Sequence, residues 1–236
     1  MKSARPALVA LVAALTCVLA GCGDFPTVGG DDEPTIQFDD PGPVAEEAPE
    51  PTATEISPPI QTGPVLYDGE FVVVEGVWNL SNGQDIVRLG GMFRGQRNGL
   101  VAAGAKGGVS IWGPALYGKY SVRITSSDRR PRVPAWCEDV VEVSYEFTAG
   151  YIVMGSFDEW TDPMRLAPGT YRLRYCASGL DATVEETAED EFDGDDYRLY
   201  SSRHLFQLWL APAAPDDVLR VGSEYAEALH ARAASG

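Results

Sequence analysis

Histidine is scarce in this sequence, which contains only His204 and His230 among its 236 residues. Catalytic sets in which an imidazole activates a serine or a cysteine therefore have little to draw on. The spacings HExxH, CxxC and GxSxG, which are typical of zinc, redox and serine-nucleophile sites, do not occur. His204 lies in a run typical of a strand and is expected to be structural. The sequence therefore predicts no catalytic residue, no metal site and no cofactor.

Basic residues are also few, because 18 Lys and Arg stand against 35 Asp and Glu, which gives a net charge of −17. A chain of this charge repels the phosphate backbone of nucleic acids and attracts cationic surfaces. Nucleic acid is therefore not expected as a partner. A basic or cationic protein is the partner class that the charge favours.

No apolar run reaches the about 20 residues that a membrane-spanning helix needs. The uncharged run at 7–19 follows two early positive charges and fits the apolar region of a secretory signal. It ends in the four residues LAGC at 19–22, which resemble the bacterial lipobox. The resemblance implies a signal peptide at 1–21, a diacylglycerol on Cys22, and a protein anchored in the cell membrane on its extracytoplasmic side. An uncleaved anchor, or a plain signal peptide with a chance cysteine, is the alternative.

The segment after the proposed cleavage site lacks basic residues and is poor in apolar ones. Residues 23–64 contain nine prolines and ten Asp or Glu, with no Lys or Arg. Such a composition buries too little apolar surface to offset the conformational entropy that ordering costs. Residues 22–64 are therefore predicted to form a disordered tether between the lipid and the folded part.

The folded part is predicted at 65–212, where apolar and polar residues alternate with a period of two. This period is typical of strands with one buried face, and turns containing Gly or Pro separate the runs. No helical period of useful length is found there. An all-β fold, an antiparallel β-sandwich of about seven to nine strands, is therefore predicted. The predicted strands lie at 70–75, 85–89, 108–112, 120–125, 140–147, 151–155, 171–175 and 203–210.

The polar faces of two predicted strands carry opposite charges. Glu142 and Glu146 alternate with apolar residues in one strand, and Arg172 and Arg174 do so in another. If these strands pair, their outer face carries exposed cross-strand ion pairs, which stabilise a fold only slightly.

The C-terminal residues 213–236 are predicted to form a tail outside the sandwich. Asp216 and Asp217 suit the start of a helix, whereas Gly222 weakens it. A short helix or a loosely docked tail is therefore expected from about 216 to 231.

Four cysteines occur, and two of them belong to the export signal: Cys17 within it and Cys22 at its cleavage site. The remaining Cys137 and Cys176 are predicted to form a disulfide, because disulfides persist outside the cytoplasm. Their positions in the alternating pattern differ, since Cys176 shares the parity of Arg174 and Cys137 does not. Two unpaired buried thiols are the alternative.

Nine Asp or Glu lie between 181 and 196, in a stretch predicted to be a solvated hairpin loop. Glu185, Glu186, Asp190 and Asp193 are expected to bind a basic protein, because concentrated charge steers association. Whether the same oxygens bind Ca²⁺ stays open, since the ordered spacing of an EF-hand loop is lacking.

Trp160 is the best candidate for an exposed aromatic contact, because it lies in a stretch of polar turn residues. Paired carboxylates for glycoside hydrolysis, such as Asp158 with Glu159 or Asp162, are the alternative use of the same segment. They would make the chain a cell-envelope hydrolase rather than a non-enzymatic binding module. A deep cleft with converging carboxylates favours the hydrolase, and a flat acidic or aromatic face favours the binding module.

One resemblance reaches beyond the signal. The segment 168–181 reads PGTYRLRYCASGLD, and the segment 207–212 reads QLWLAP. Over roughly 137–213 the chain resembles a widespread bacterial β-sandwich group with the strands GxYRxRYxAxGxD and LQxWPA, and it departs from the second of these. That group is distantly similar to the competence nuclease-inhibitor family. The resemblance implies a β-sandwich with a non-enzymatic, inhibitor-like role, and it supplies no catalytic residues.

Overall fold

The computed structural model of the chain describes residues 64–82, 93–103, 108–157, 159–189 and 197–235. Twelve strands and two helices lie within these ranges. They are β1 (Val65–Val73), β2 (Val77–Ser81), β3 (Val101–Ala102), β4 (Gly108–Trp112), β5 (Gly118–Ser127), β6 (Asp139–Phe147), β7 (Tyr151–Ser156), β8 (Glu159–Trp160), β9 (Met164–Arg165), β10 (Gly169–Ser178), α1 (Leu180–Glu189), β11 (Leu199–Leu210), β12 (Asp217–Arg220) and α2 (Glu224–Ala234).

The strands form two sheets that share one core. Among the described residues, the first sheet has the order β1-β5-β11-β10-β6-β12, and the second has the order β3-β4-β2-β7-β8, with β9 also pairing with β7. The prediction of an all-β sandwich is confirmed. One pair departs from the antiparallel pattern, because β11 runs parallel to β5 with Phe206 opposite Ile124. The predicted strand at 85–89 lies outside the described residues.

The strand number is higher than predicted for a simple reason. Nine of the twelve strands have four or more residues, which matches the upper end of the prediction. The strands β3, β8 and β9 have two residues each, and a run of two is too short to show an alternating pattern.

Aromatic side chains from both sheets meet in the core. Trp78 of β2 is fully buried and stacks against Tyr120 of β5, with 6.1 Å between the ring centroids. It also meets Phe206 of β11 edge-on at 5.3 Å. Contacts of these geometries add about 0.5–1.5 kcal/mol beyond the burial of apolar area. Tyr120 and Phe206 lie in predicted strands, whereas Trp78 lies in β2, which the alternation did not predict.

Residues 180–189 form helix α1, which corrects the predictions of a hairpin loop there and of no helix within 65–212. Gly179, with φ +73°, ends β10 in the left-handed region that glycine enters readily. The buried side chains of the described helix residues are Leu180 and Thr183, one turn apart. Because the helix buries only two side chains, its sequence has no repeating apolar stripe that would predict a helix. The many acidic residues indicated a solvated loop instead.

The tail also differs from its prediction, because a strand precedes its helix. β12 pairs with β6, with Val218 opposite Val141. Helix α2 begins after Ser223, whose hydroxyl oxygen accepts a hydrogen bond from the amide of Ala226 at 3.1 Å, as an N-cap does. Asp216, the predicted helix start, instead accepts hydrogen bonds from the backbone amides of residues 97 and 98.

Glu142 of β6 and Arg172 and Arg174 of β10 are buried, which corrects the prediction of exposed ion pairs, whereas Glu146 is exposed as predicted. The two strands do pair, with Arg174 opposite Glu142, and these side chains are only 2% and 5% exposed. One oxygen of the Glu142 carboxylate accepts from Arg174 at 2.7 Å and from Arg130 at 3.0 Å. The other oxygen accepts from Arg172 at 3.3 Å. We call these four residues the Glu142 network.

Two chain segments cover the Glu142 network. Arg174 donates to the carbonyl oxygen of Pro131 at 2.8 Å, and Arg172 donates to the carbonyl oxygens of Ala214 and Pro215. These carbonyls belong to the segments that precede β6 and follow β11. The arginines therefore hold both segments against the sheet, and the segments in turn exclude water from the arginines.

Cys137 and Cys176 form a disulfide in the structure, with Cα atoms 5.5 Å apart, a usual separation for such bonds. Cys137 precedes the first residue of β6, so the alternation of that strand does not constrain the direction of its side chain. Both cysteines lie in a small apolar cluster with Val140 and Leu205. On the chain-entropy model, closing a loop of about 40 residues stabilises the fold by roughly 4 kcal/mol.

Candidate protein-binding surface

Both histidines hold structural positions. His204 is buried among aromatic rings, with Nδ1 2.7 Å from the Tyr175 hydroxyl and Nε2 3.1 Å from the Ser202 hydroxyl. Burial lowers the pKa of His204 to about 3, so the ring is neutral at neutral pH. His230 accepts a hydrogen bond at Nδ1 from the backbone amide of Gly99 at 2.9 Å. These contacts match the structural role expected of His204.

We expect His204 to make the fold sensitive to acid. Its pKa is about 6.5 in an unfolded chain and about 3 in the fold. The stability from keeping the ring neutral is therefore complete above pH 6.5 and is lost as the pH falls toward 3. At pH 4 the loss in the free energy of unfolding is about 3 kcal/mol, since each pKa unit corresponds to about 1.36 kcal/mol.

Urea unfolding at pH 7 and pH 4 measures this loss. His204→Gln keeps groups that can hydrogen-bond to Tyr175 and Ser202, and it is expected to remove about 3 kcal/mol of the pH dependence. All other titrating groups are common to the two proteins, so the difference isolates His204. An equal pH dependence in both proteins would contradict the effect of burial on this ring.

The candidate carboxylates of the hydrolase alternative lie on an open surface. Glu159 and Asp162 are exposed and line a groove of about 650 Å³ between β1 and the segment 159–165. Asp158 lies outside the described residues. Within the described ranges, no three side chains of His, Cys, Asp or Glu are placed to hold a metal ion. Part of the acidic stretch considered for Ca²⁺ binding, residues 190–196, also lies outside the described residues.

One end of the sandwich gathers several chain turns, and we call it the distal end because it is opposite to Val65. β1 ends there and β5 begins there. By the registers of the two sheets, β4 and β7 also end there, and β11 begins there. The distal end is defined by residues 74–76, 113–117, 157, 159 and 199 and by helix α1.

Hydrogen bonds join the turns of the distal end. The amide of Gly76 donates to the carbonyl oxygen of Leu116 at 2.8 Å. On the other side of the same turn, the amide of Val74 donates to the Ser156 hydroxyl oxygen at 2.8 Å. The turn between β1 and β2 is therefore held between Leu116 and Ser156, and Phe157 directly follows Ser156 in the chain.

Large apolar side chains are exposed at the distal end. Leu116 is 64% exposed, and Phe157 is 54% exposed. Val184 of α1 and Leu199 at the start of β11 are exposed as well. Exposed apolar side chains scattered singly are normal, whereas these four come from separate segments of the chain that meet at one end, which makes this end a candidate interaction surface.

Sequence reasoning missed Phe157, although the sequence contains a signal for it. Ser156 pairs with Glu159, so only residues 157 and 158 join β7 to β8. Two-residue hairpin turns favour Asn-Gly or Asp-Gly, because their backbone has positive φ. This turn has Phe-Asp instead, and Phe157 has φ +51°. A phenylalanine in a position that suits asparagine or glycine is the signal.

Some of the residues predicted to bind a partner are described by the structure, and these lie at this same end. Glu185 and Glu186 belong to α1, and Trp160 belongs to β8, which begins at the distal end. Glu185 is exposed, whereas Glu186 accepts a hydrogen bond from the amide of Ser201 at 3.1 Å. Trp160 is half-buried rather than exposed, because its ring occupies the space beside Gly155. Asp190 and Asp193 lie outside the described residues.

No protein-family model and no curated protein matches the chain. Similar solved structures include ComJ from Bacillus subtilis, an inhibitor of the DNA-degrading activity of NucA, with a TM-score of 0.44 and 12% identity over 64% of this chain and 100% of that one. Another carries the description crocagin biosynthetic gene J, with a TM-score of 0.41 and 14% identity over 64% of this chain and 100% of that one. These similarities are distant, and with TM-scores below 0.5 they establish no shared function.

Proposed function

We propose that this protein is a lipid-anchored, extracytoplasmic module that binds a basic protein without catalysing a reaction, in the manner of an inhibitor or immunity protein. The observation that carries the proposal is the grouping of acidic and apolar side chains at the distal end. Glu75, Glu159 and Glu185 are exposed there. Leu116 and Phe157 are exposed beside them.

The charge of the distal end is predominantly negative. Among the described residues, Lys119 and Arg198 are basic residues that lie close to it in the chain, at the starts of β5 and β11. The segment 190–196 connects α1 to β11 outside the described ranges, and its sequence contains five further acids. Such a charge distribution raises the rate at which a cationic partner arrives, and added salt screens this effect within about 8–10 Å.

Attachment to a membrane is the second part of the proposal. A lipid on Cys22 and a tether at 22–64 would join the domain at Val65, which is opposite to the distal end. As a flexible coil the tether would span roughly 35 Å, enough to keep the domain clear of lipid headgroups. Among the described residues, neither helix has the length and apolar character needed to cross a membrane.

The proposal is tested by affinity capture from an envelope extract, followed by association kinetics with the captured basic protein. We expect replacement of Glu185, Glu186, Asp190 and Asp193 by their amides to slow association about tenfold at low salt and to weaken its salt dependence. Failure of the full chain to bind any basic protein specifically would contradict the proposed function.

A matched control removes acids at the opposite end of the sandwich. Asp128 and Glu146 are exposed near the ends of β5 and β6, far from the distal end. Their replacement by Asn and Gln is expected to leave the association rate within about twofold, since screening limits their reach. The test set removes four acids and the control set removes two, so equal slowing per removed charge would show that net charge, and not the distal end, governs the encounter.

A further inference from the structure

We infer that Leu116 and Phe157 are the apolar anchors of the distal end and that they insert into an apolar pocket on the basic protein, a pocket bordered by Lys or Arg. The inference rests on the proposed function and names the residues that make the contact. The acidic and the apolar side chains have different roles in this inference. The acids govern the encounter, whereas the two apolar side chains hold the complex together.

The two side chains flank a single turn. β4, β2 and β7 are neighbours in the second sheet, so their distal ends lie side by side. Adjacent strands are about 4.8 Å apart, which puts the ends of β4 and β7 roughly 10 Å apart. Leu116 comes four residues after β4, and Phe157 directly follows β7. The Leu116 Cδ2 atom lies 3.4 Å from the place that a Cβ atom on Gly76 would take, so this side chain covers the turn.

The backbone of Phe157 gives independent support. A φ of +51° is unfavourable for a bulky L-residue and natural for Gly or Asn. The ring gains little from burial in this chain, because the residue is 54% exposed. Neither local conformation nor packing within the domain therefore accounts for a phenylalanine at this position. Contact with a partner does account for it, since aromatic side chains, phenylalanine among them, are enriched at the cores of protein interfaces.

The charges beside the two anchors select the kind of partner. Glu75 lies in the turn between Leu116 and Phe157, and Glu159 lies two residues after Phe157; both carboxylates are exposed. A second copy of this chain docked through the same end would bring like charges together. An anionic lipid surface would repel these carboxylates in the same way. A pocket bordered by Lys or Arg pairs with them, so a basic protein fits this surface.

Photo-crosslinking of the full-length chain in cells tests the contact. p-Benzoylphenylalanine is placed at Leu116, at Phe157, at Glu185 and, as a matched control, at Leu210, which is 55% exposed at the opposite end. We expect the probes at Leu116 and Phe157 to crosslink the same basic protein and the probe at Leu210 not to do so. Lipid adducts, adducts with a second copy of this chain, or adducts no more abundant than at Leu210 would overturn the inference.

The same experiment separates the inference from the function on which it rests. Crosslinking of a basic protein at Glu185 but not at Leu116 or Phe157 would leave the proposed function standing and reject the anchors. No protein adduct from any of the four positions would reject both.

Binding measurements with the crosslinked protein, once purified, then test the energetic role. We expect Phe157→Ser to weaken affinity about 30-fold and Leu116→Ser about tenfold, mostly through faster dissociation. Leu210→Ser is expected to change affinity less than twofold. Dissociation rates that stay at the unsubstituted value in both distal variants would overturn the inference.

Phe157→Asn supplies a readout that a folding defect cannot imitate. Asparagine adopts a left-handed backbone readily, so the midpoint of thermal unfolding is expected to rise by about 2–4 °C while the affinity falls. A rise in stability together with a loss of binding supports a residue kept for contact. An unfolding midpoint that falls, or an affinity that is unchanged, would overturn the assignment.

Discussion

Cys22→Ala is expected to abolish lipidation, so that the chain takes up no labelled palmitate and either leaves the detergent phase or keeps its signal segment uncleaved. The LAGC box at 19–22 ends a short apolar run that follows two positive charges, and the Cys22 sulfur is the atom that would receive the diacylglycerol. Each buried methylene contributes about 0.8 kcal/mol, so two or more acyl chains hold a protein stably and their loss is close to all-or-none. Metabolic labelling and detergent partition measure the two effects.

The chain offers a control for this experiment in Cys17, which lies within the apolar run at 7–19. Cys17→Ala is expected to keep the label, because the small apolar side chain of alanine suits a signal segment. Incorporation of label into Cys22→Ala, or its loss from Cys17→Ala, would show that the lipobox interpretation is wrong.

Glu142→Ala is expected to lower the free energy of unfolding by about 3–5 kcal/mol, because it leaves the buried charges of Arg172 and Arg174 without a counter-charge. Glu142 is the acidic member of a network in which Arg172 and Arg174 are 8% and 2% exposed at their side chains. Those arginines also hold the carbonyl oxygens of the two covering segments. Urea unfolding at pH 7 measures the loss.

Asp68→Ala provides the matched control. Asp68 pairs with Arg123 at 3.2 Å on the surface, with its side chain 58% exposed. Removal of an exposed pair is expected to cost less than about 1 kcal/mol. Similar losses from Glu142→Ala and Asp68→Ala would contradict the burial of the network.

The Glu142 network also sets a direction for the dependence of stability on pH. Burial alone raises the pKa of Glu142, but the hydrogen bonds and charges of Arg174 and Arg130 outweigh it, so the pKa lies below its ordinary value. A carboxyl group with a lowered pKa contributes stability that is complete above the pKa of the unfolded chain. That stability is lost as the pH falls through the lower pKa of the folded chain.

Local patterns were enough to place most of the strands and the histidine. The alternation in β5, β6 and β10 predicts both the strands and their inner faces, because side chains of a strand point to opposite sides in turn. His204 lies in a run that predicts a strand, and the structure buries it. Trp160 was predicted to be exposed and is half-buried. Its burial depends on the neighbouring strand, where a glycine leaves room for the ring.

The grouping at the distal end could not be predicted in the same way. Leu116, Phe157 and Glu185 lie far apart in the chain, and only the pairing of β2 with β4 and β7, together with the parallel pairing of β11 with β5, brings their turns to one end. Each pairing is a choice of partner and register between distant segments. A single strand pattern specifies its own two faces and carries no information about its neighbours.

By itself the sequence determined the period-two strands of the folded part, because these depend on residues adjacent in the chain. The export signal and the tether are predictions from composition, and their residues lie outside the part of the chain that the structure describes. The tertiary structure alone decided that Arg172 and Arg174 are buried and that 180–189 is a helix. The physical reason is the same in both cases. The arginines are covered by carbonyls 42 and 43 positions away, and α1 is held by tertiary contacts such as the bond from the Ser202 amide to Thr183. Burial is a property of contacts between distant segments, and it can reverse what local polarity predicts.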